Sequence, residues 1–392
     1  MTSPTGARPR ILIAMIEAGG GHRAPALALQ AALERVRPGR FDVDVFDIMR
    51  HVGEVALDRR HKQSWKWMLA HPRVTFVLQN AIDRVVPVAW TQAVQARTLA
   101  GFRRRLSAFV REQGYDLVVA VHFMPLQAAA MARRRGELGV PVVGIDTDPF
   151  DAHALWAVRD ADEIVVASEQ ARSLLSAKGV PVQRVKVFGY PLNLAFVDAV
   201  PDAEAARRRL GLDAGRLTVL HTPGGEGIGG NVEGIVAAVL AADLDLQYVV
   251  IAGRNEALRA KLQGLADAHA ARGGRTRLHV QGFTNDMPEW IAASDLVLGK
   301  AGAASTFEAL ALGRPIFHTS YVAPNEKRNL DYCRQHGIGG YVPLSRDVVG
   351  LLAPLCEDPA PLHAWQERVR ALGFQPGTLA IAEHLAALVE GP

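Results

Sequence analysis

Two glycine-rich turns in this sequence combine backbone that a ligand can approach with side chains capable of chemistry. The first turn spans residues 17–25 and places His22 directly after three glycines. The unperturbed pKa of an imidazole is about 6.5, so His22 is a candidate general base for a hydroxyl group. Gly20 and Gly21 would let the molecule carrying that hydroxyl approach the backbone closely. The alternative is that His22 merely hydrogen-bonds the backbone of the loop. Because the glycines favour the approach of a substrate, we predict that His22 is catalytic and that Gly20 and Gly21 line an acceptor site.

The second turn lies within residues 299–329. The apolar run 296–298 predicts the end of a buried parallel strand, and small residues lead from it into a helix. Free N–H groups at the start of a helix, at the carboxyl end of a strand, suit an anion such as a diphosphate. Ser305 and Glu308 have the spacing of a capping box, which predicts that the helix opens at Ser305. Local sequence alone thus explains Glu308 as a cap, and the alternative is that it binds a ligand.

A dinucleotide-dependent oxidoreductase is a competing interpretation of the first turn. Gly19, Gly21 and Ala24 satisfy the pattern G-x-G-x-x-A, and Asp47 closes the second predicted strand near the expected place of a ribose-binding acid. His22 counts against this interpretation, because a pyrophosphate requires small residues at that turn. A long basic segment also follows the second strand, where a compact βαβ unit should continue.

The run 146–151 brings three carboxylates to the end of another predicted strand. We predict that Asp146 orients a catalytic imidazole and stabilises its protonated form. A metal site is the alternative, but Pro149 stiffens the loop and no better ligand pattern supports it, so we predict no metal. His153 and Trp156 are three residues apart and would share one face of a helix. They are candidates for lining the acceptor site, although core packing explains Trp156 equally well.

Three loops in the second half of the chain are candidate contacts for a phosphorylated ligand. Gly225 lies in the run 223–231, which lacks the Lys-Ser/Thr ending of a Walker loop, so an ATPase interpretation fails. Its glycines suit close approach by a phosphate or by an acceptor. Arg254 ends the next predicted strand and is a candidate partner for a diphosphate. Phe283 begins the loop after the third strand, where we predict contact with a base.

Composition excludes several classes of protein. With 49% hydrophobic and 21% charged residues among 392, the chain is globular and not disordered. Its two cysteines make no disulfide framework, which predicts a reducing compartment. No apolar run is long enough to span a bilayer, and the first residues lack the apolar core of a signal peptide. A net charge of +4 is too small to argue for nucleic acid, so we predict no such partner.

The segment 51–112 is rich in Lys and Arg and interleaves them with Trp65, Trp67 and Trp90. Tryptophans and apolar residues beside basic ones are typical of a helix that lies on an anionic bilayer. The alternative is an ordinary amphipathic insert whose basic face is merely solvated. Composition alone does not decide between the two. If the first holds, Trp65 and Trp67 are the residues that we expect at the membrane.

Apolar runs alternate with helical patterns along the whole chain, which predicts parallel sheets with crossover helices. We predict an α/β protein with two doubly wound, Rossmann-like domains facing each other across a cleft. The domains are residues 1–196 and 197–375, with a linker near 196–203 and a last helix over 376–392 that returns to the first domain. The predicted strands are 11–15, 43–46, 117–121, 142–145, 163–167, 185–188, 217–220, 247–251, 278–280, 296–298 and 316–318.

Taken together, ordered motifs across nearly the whole chain resemble one family. They include GGGHRAPALAL at 19–29, HFMPLQA at 122–128, DAHALW at 151–156, GGEGIGG at 224–230 and FEALALGRPIF at 307–317. The chain resembles the monogalactosyldiacylglycerol synthase and processive diacylglycerol glycosyltransferase group. Those enzymes have the GT-B fold and are related to the N-acetylglucosaminyltransferase that completes lipid II.

The resemblance implies that the second domain binds a UDP-sugar. Glu308 would bind the ribose, the backbone of residues 302–306 the diphosphate, and the Phe283 region the uracil. Glu326 and Asn329 would hold sugar hydroxyls. The family usually has Pro-Gly-Gln before that Glu, whereas this chain ends the same triplet with Asn325, which leaves the sugar undetermined. The predicted donor contacts are Gly225, Arg254, Phe283, Gly302, Ala303, Ser305, Thr306, Glu308, Asn325, Glu326 and Asn329.

The resemblance also implies an activity. His22 would be the base or would position the acceptor hydroxyl, in an inverting, metal-independent transfer of a hexose to a membrane lipid such as diacylglycerol. We predict no cofactor, an anionic membrane surface as a partner, and peripheral attachment to the cytoplasmic face of the cell membrane. The alternatives are a lipid II-type N-acetylglucosaminyltransferase, a UDP-sugar 2-epimerase and, less favoured, the dinucleotide-dependent oxidoreductase.

Overall fold

The computed structural model describes residues 8–17, 20–71, 74–75, 77–78, 88–198, 202–224 and 230–391. The chain forms two compact units, each built around one six-stranded parallel sheet. The first unit is Met1–Leu194 together with Ala323–Asn325 and Pro376–Pro392, and the second is Ala195–Val322 with Glu326–Gln375. The prediction of two doubly wound α/β sheets is therefore confirmed.

The sheet of the first unit has the strand order β2-β1-β3-β4-β5-β6, and every neighbouring pair is parallel. The chain leaves β1 for β2 on one side and returns to β3 on the other side. In open α/β sheets, ligands bind outside the carboxyl ends of the strands at such a reversal of strand order. The strands are β1 (Arg10–Met15), β2 (Asp42–Asp47), β3 (Leu117–Ala120), β4 (Val142–Ile145), β5 (Glu163–Val166) and β6 (Val185–Val187).

Successive residues of a strand point to opposite faces of the sheet, and here the side chains on both faces are apolar. Helices therefore cover both faces. Leu12 packs in one buried cluster with Phe102 and Leu126, whereas Ile13 packs in another with Leu29. The helices are α1 (Gly20–Val36), α2 (Ile48–His51), α3 (Val55–Ala70), α4 (Val88–Thr98), α5 (Ala100–Gln113), α6 (Phe123–Arg134) and α7 (Glu169–Ala177).

The sheet of the second unit has the order β12-β11-β10-β7-β8-β9, and its strand order reverses between β7 and β10. Its last strand was not among the predicted strands, because Gly339 and Gly340 give it no apolar run. The strands are β7 (Leu217–Thr222), β8 (Leu246–Ile251), β9 (Arg277–Gln281), β10 (Leu296–Lys300), β11 (Ile316–Ser320) and β12 (Gly339–Tyr341).

The helices of the second half follow the same alternation. None of the helices in the described ranges is long and apolar enough to cross a bilayer. The helices are α8 (Ala203–Leu210), α9 (Val232–Ala242), α10 (Glu256–Ala271), α11 (Met287–Ala293), α12 (Ala303–Ala311), α13 (Pro324–Gln335), α14 (Ser345–Glu357), α15 (Ala360–Leu372) and α16 (Thr378–Glu390).

The last helix, α16, belongs to the first unit. Its first residue, Thr378, donates its hydroxyl to the backbone oxygen of Leu192 at 2.6 Å. The backbone N–H of Gly377 donates to the backbone oxygen of Tyr190 at 2.9 Å. A Cβ at Gly377 would lie 2.5 Å from the carbonyl oxygen of Gly189. Only a glycine fits this contact between two stretches of backbone.

Candidate active site

His22 lies at the reversal of strand order in the first sheet, because α1 begins at Gly20, shortly after β1. Its Nδ1 atom is 3.1 Å from the hydroxyl oxygen of Thr147, and its ring packs edge-on against His122 with centroids 4.7 Å apart. Desolvation lowers the pKa of His22 to about 4, and the nearby His61 adds to this shift. The imidazole is therefore neutral near pH 7, which is the form that accepts a proton.

Asp146 follows β4 and is buried at 1% exposure. One carboxyl oxygen accepts the backbone N–H of Asp148 at 2.9 Å, and the other has no partner among the described residues. Burial, and then the charges of Asp148 and Asp151, raise the pKa of Asp146 well above its usual value. The side chain hydrogen-bonded to His22 is thus Thr147, which the sequence analysis did not single out, and the catalytic role of Asp146 stays a prediction.

His122 is a second imidazole beside His22, and it was not among the site residues predicted from the sequence. It is 2% exposed, and its Nδ1 atom accepts the backbone N–H of Met124 at 3.1 Å, so it caps α6. Its ring stacks on Phe123 at 4.3 Å and meets His61 of α3 edge-on at 5.3 Å. Burial keeps the pKa of His122 well below its usual value. Its position after β3, the strand beside β1, is the signal that could have identified it.

The predicted acceptor residues separate into two groups. The space beside Gly21 is open, because a Cβ at this residue would meet nothing within 4 Å. His153 lies 5.3 Å from the ring of Phe123, and its Nε2 atom is 3.8 Å from a carboxyl oxygen of Asp148. Trp156, in contrast, is 1% exposed within the hydrophobic core. This burial favours the packing interpretation of Trp156.

The basic segment is only partly free for a partner. Lys62 pairs with Asp47 at 2.6 Å and with Asp58 at 2.8 Å, and Arg103 is buried against Glu137. Other basic side chains of α3 are exposed, and Trp67 is 49% exposed while it stacks on His71, with ring centroids 4.6 Å apart. Trp65 is half-buried, and Trp90 of α4 is 70% exposed. Among the described residues of the segment, the exposed Lys and Arg side chains are Arg59, Arg60, Lys66, Arg97, Arg104, Arg105 and Arg111.

The second glycine-rich turn lies at the reversal of strand order in the second sheet, directly after β10. The helix there begins at Ala303 with Gly302 as its N-cap and without a side-chain cap, so the predicted capping box at Ser305 is wrong. Thr306 donates the first helical hydrogen bond, to Gly302 at 3.0 Å. The N–H groups of the residues before it have no acceptor within the helix, as at any helix start.

Three polar side chains lie at or beside this turn. Burial raises the pKa of Glu308 to about 7, and since the capping box is not formed, Glu308 does not cap α12. Asn329 of α13 is 2% exposed and donates its amide N–H to the oxygen of Ala301 at 3.0 Å. Its amide oxygen and the hydroxyl of Thr306 are buried without a partner among the described residues.

Glu326 is also on α13, and each of its two carboxyl oxygens accepts a hydrogen bond. One oxygen pairs with the ammonium group of Lys300, and the other accepts the backbone N–H of Val322 at 2.7 Å. Lys300 was not among the residues predicted from the sequence, although it ends the strand that leads into the turn.

Two more of the predicted donor contacts, Arg254 and Phe283, lie in loops of the second unit. The guanidinium carbon of Arg254 lies 4.2 Å from the centroid of the Phe283 ring, and that ring is 48% exposed. Asn325 is half-buried near the start of α13. Gly225 lies outside the described residues. Within the ranges described, no group of three or more His, Cys, Asp or Glu side chains is arranged to hold a metal ion.

Two family models match the chain. Residues 22–192 match Monogalactosyldiacylglycerol (MGDG) synthase, and residues 233–327 match the Glycosyltransferase family 28 C-terminal domain. With its two parallel sheets and the turns at their reversals of strand order, the chain is a glycosyltransferase of the GT-B fold class. These matches confirm the resemblance to the monogalactosyldiacylglycerol synthase group that was drawn from its motifs.

Individual proteins show the same relationship. "Probable monogalactosyldiacylglycerol synthase 2, chloroplastic" from Oryza sativa subsp. indica is 28% identical over 345 residues, covering 86% of this chain and 71% of that protein. MurG from Acinetobacter baumannii superposes with a TM-score of 0.59 at 13% identity, over 97% of this chain and 99% of that one. The UDP-GlcNAc 2-epimerase of Neisseria meningitidis gives 0.56 at 12% identity, over 97% and 100%. The two structures share the fold alone.

The comparisons do not favour the oxidoreductase interpretation, because both matched domains belong to glycosyltransferases. The structure agrees, since the carboxylate of Asp47, the acid expected on a ribose, is bound to Lys62 at 2.6 Å.

Proposed function

We propose that this chain transfers a hexose from a UDP-sugar to the hydroxyl group of a membrane lipid such as diacylglycerol, with inversion at the anomeric carbon. The observation that carries the proposal is the turn before α12. At the reversal of strand order in the second sheet, it offers N–H groups that have no acceptor within the helix, beside the partly buried Glu308, which does not cap α12. The match to MGDG synthase supports a lipid acceptor.

On the donor side, the start of α12 would hold the diphosphate. The free N–H groups and the positive end of the helix dipole stabilise the negative charge that develops as UDP leaves. Glu308 would accept hydrogen bonds from the two ribose hydroxyls, and the stacked Arg254 and Phe283 would contact the uracil or the diphosphate. Glu326 and Asn329 would contact sugar hydroxyls, and the unpartnered oxygen of Asn329 supports that role.

On the acceptor side, His22 would take the proton of the attacking hydroxyl. The acceptor oxygen forms its bond to the anomeric carbon while the bond from that carbon to the diphosphate oxygen breaks, and UDP leaves with the electron pair. Thr147 holds the ring of His22 in one orientation. Since desolvation keeps His22 neutral near pH 7, no proton has to leave the ring before the reaction.

Membrane association would supply the lipid. The exposed Arg59, Arg60 and Lys66 of α3 lie close in sequence to Trp67, which is 49% exposed. Basic groups attract anionic headgroups, and exposed tryptophans favour the interface between headgroups and acyl chains. We assign the protein to the cytoplasmic face of the cell membrane as a peripheral enzyme. Its two free cysteines are consistent with a reducing compartment.

The test is transfer by the purified chain from UDP-galactose or UDP-glucose to diacylglycerol in anionic vesicles, followed by mass spectrometry of the lipid product. His22→Ala should lower kcat by about a hundredfold or more, the usual contribution of a general base. His363→Ala, a substitution of an exposed histidine on α15, is the matched control and should leave turnover unchanged. Unchanged turnover in His22→Ala would exclude His22 as the base. Absence of any glycolipid from either donor would refute the lipid transfer itself.

A further inference from the structure

We propose that Lys300 is a positioning residue that holds the Glu326 carboxylate against the donor sugar and thereby contributes to the choice of sugar. The inference rests on the proposed function, because Glu326 meets a sugar only if the chain binds a UDP-sugar. Neither the motifs nor the family match assigns a role to Lys300.

The Glu326 carboxylate is fixed by two different donors. The ammonium group of Lys300 binds one oxygen, and the backbone N–H of Val322 binds the other at 2.7 Å. The side chain of Glu326 is 13% exposed and that of Lys300 is 29% exposed. A carboxylate that is shielded from water and held at both oxygens keeps one orientation, so its remaining lone pairs point in fixed directions.

The backbone directs Lys300 towards this role. The pairing of β10 with β11 shifts register between Gly299 and Lys300, so that Gly299 faces His318 and Lys300 faces Ser320. Such irregularities change the direction of a side chain and are common beside active sites. The stem of Lys300 then passes the turn, and its Cε atom would lie 3.8 Å from a Cβ at Gly302. Lys300 thus connects the turn proposed for the diphosphate to the carboxylate proposed for the sugar.

Charge explains why the pair is needed. Without the ammonium, the carboxylate of Glu326 would turn away from the sugar towards water, because a charged group is costly to keep unpaired where water is partly excluded. Lys300 neutralises Glu326 without occupying the lone pairs that accept sugar hydroxyls. Removing the ammonium group should therefore weaken binding of the UDP-sugar. The carboxylate of Glu326 would also lose its fixed orientation, by which it distinguishes the hydroxyl groups of two epimeric sugars.

The chain contains a matched control. Lys327, on the same helix as Glu326, pairs with Asp331 at 2.8 Å, and the two side chains are 33% and 32% exposed. Lys327→Met removes one lysine of similar exposure and one ion pair within the same unit, without touching Glu326. The change in kcat/KM of Lys327→Met therefore shows how much activity is lost when an ion pair of this kind is removed from the second unit.

The experiment compares kcat/KM for UDP-galactose and UDP-glucose in the full-length protein and its variants, with calorimetric measurement of UDP binding. In Lys300→Met we expect kcat/KM for the preferred sugar to fall by about tenfold or more, and the ratio between the two sugars to move towards one. Lys300→Arg should recover most of the loss. Glu326→Gln should lower the ratio similarly, and adding Lys300→Met to it should lower the ratio no further. UDP, which lacks the sugar, should bind Lys300→Met within about threefold of the unsubstituted protein.

Three results with the Lys300 variants would overturn the inference. They are a wild-type sugar ratio in Lys300→Met, fully additive losses in the double variant, or a loss of UDP affinity equal to the loss for the UDP-sugar. The third would mean that Lys300 binds the diphosphate directly. An equal loss in Lys327→Met would also overturn it, by showing a general structural effect. Absence of transfer by the unsubstituted protein would refute the proposed function, whereas these results would refute the role of Lys300 alone.

Discussion

Replacing Glu308 by Gln should make the protein more stable and less active at the same time. Burial raises the pKa of Glu308 from 4.5 to about 7, so the ionised form is disfavoured in the folded state. A carboxyl whose folded-state pKa is raised contributes stability below its unfolded-state pKa, and that stability is lost as the pH rises through the folded-state pKa. Gln keeps the shape of the side chain without the charge, so Glu308→Gln avoids this loss.

The size of the effect follows from the two pKa values. One pKa unit corresponds to about 1.4 kcal/mol, so ionised Glu308 costs the folded protein about 3 kcal/mol near pH 8. Near pH 5.5 the carboxyl is mostly protonated when folded, and the cost is only about 1 kcal/mol. The gain in stability of Glu308→Gln should therefore be about 2 kcal/mol larger at the higher pH. Activity should fall, because a neutral amide binds the two ribose hydroxyls less strongly than a carboxylate does.

The assay is urea-induced unfolding at the two pH values, with the transition of the second unit followed separately, and UDP binding measured by calorimetry. Glu256→Gln is the control, because Glu256 is an exposed residue of α10 that forms a surface ion pair with Arg259. Its substitution should change the free energy of unfolding by less than about 0.5 kcal/mol at either pH. An equal gain for Glu308→Gln at both pH values would refute the burial argument. Undiminished UDP affinity in that variant would refute the ribose contact.

Three further predictions address other parts of the molecule. The pKa of His22 is lowered to about 4, so the stability that its neutral form contributes is present above pH 6.5 and is lost as the pH falls towards 4. His22→Gln should reduce this acid-induced loss of stability by about 2 kcal/mol or less, which unfolding experiments across that pH range would measure. Gly377→Ala should destabilise the first unit by about 1–3 kcal/mol in thermal unfolding, because the new Cβ would lie 2.5 Å from the carbonyl oxygen of Gly189. The control Gly264→Ala should stabilise the protein, because Gly264 lies within the helix α10 and a Cβ there would meet nothing within 4 Å. Transfer should persist after dialysis against EDTA, and full loss restored by a divalent cation would contradict the metal-independent mechanism.

The strands were predictable because a buried parallel strand needs a continuous apolar run. The run 142–145 predicted β4 to the residue, and the other predicted strands differ from those observed only at their ends. The strand β12 failed this criterion, since two of its three residues are glycines that pair at the edge of the sheet. Its existence depends on the neighbouring β11 and not on its own side chains.

The start of α12 was predicted three residues too late for a related reason. Ser305 and Glu308 fit a capping pattern, but Ala303 and Ala304 are good helix formers and extend the helix back to Gly302. A local pattern cannot decide between two possible starts when both satisfy helix chemistry. The correction matters for function, because it removes the structural explanation of Glu308.

The sequence by itself determined the α/β class, the two turns at the ends of strands, and the family whose motifs run in order along the chain. These depend on local patterns, which backbone geometry and burial impose residue by residue. Only the tertiary structure decided that Thr147 holds His22 from 125 positions away, and that Lys300 holds Glu326 from 26 positions away. It also decided that Trp156 is a core residue. Such contacts arise from strand order and from the paths of side chains after packing, and neither leaves a periodic trace in the sequence.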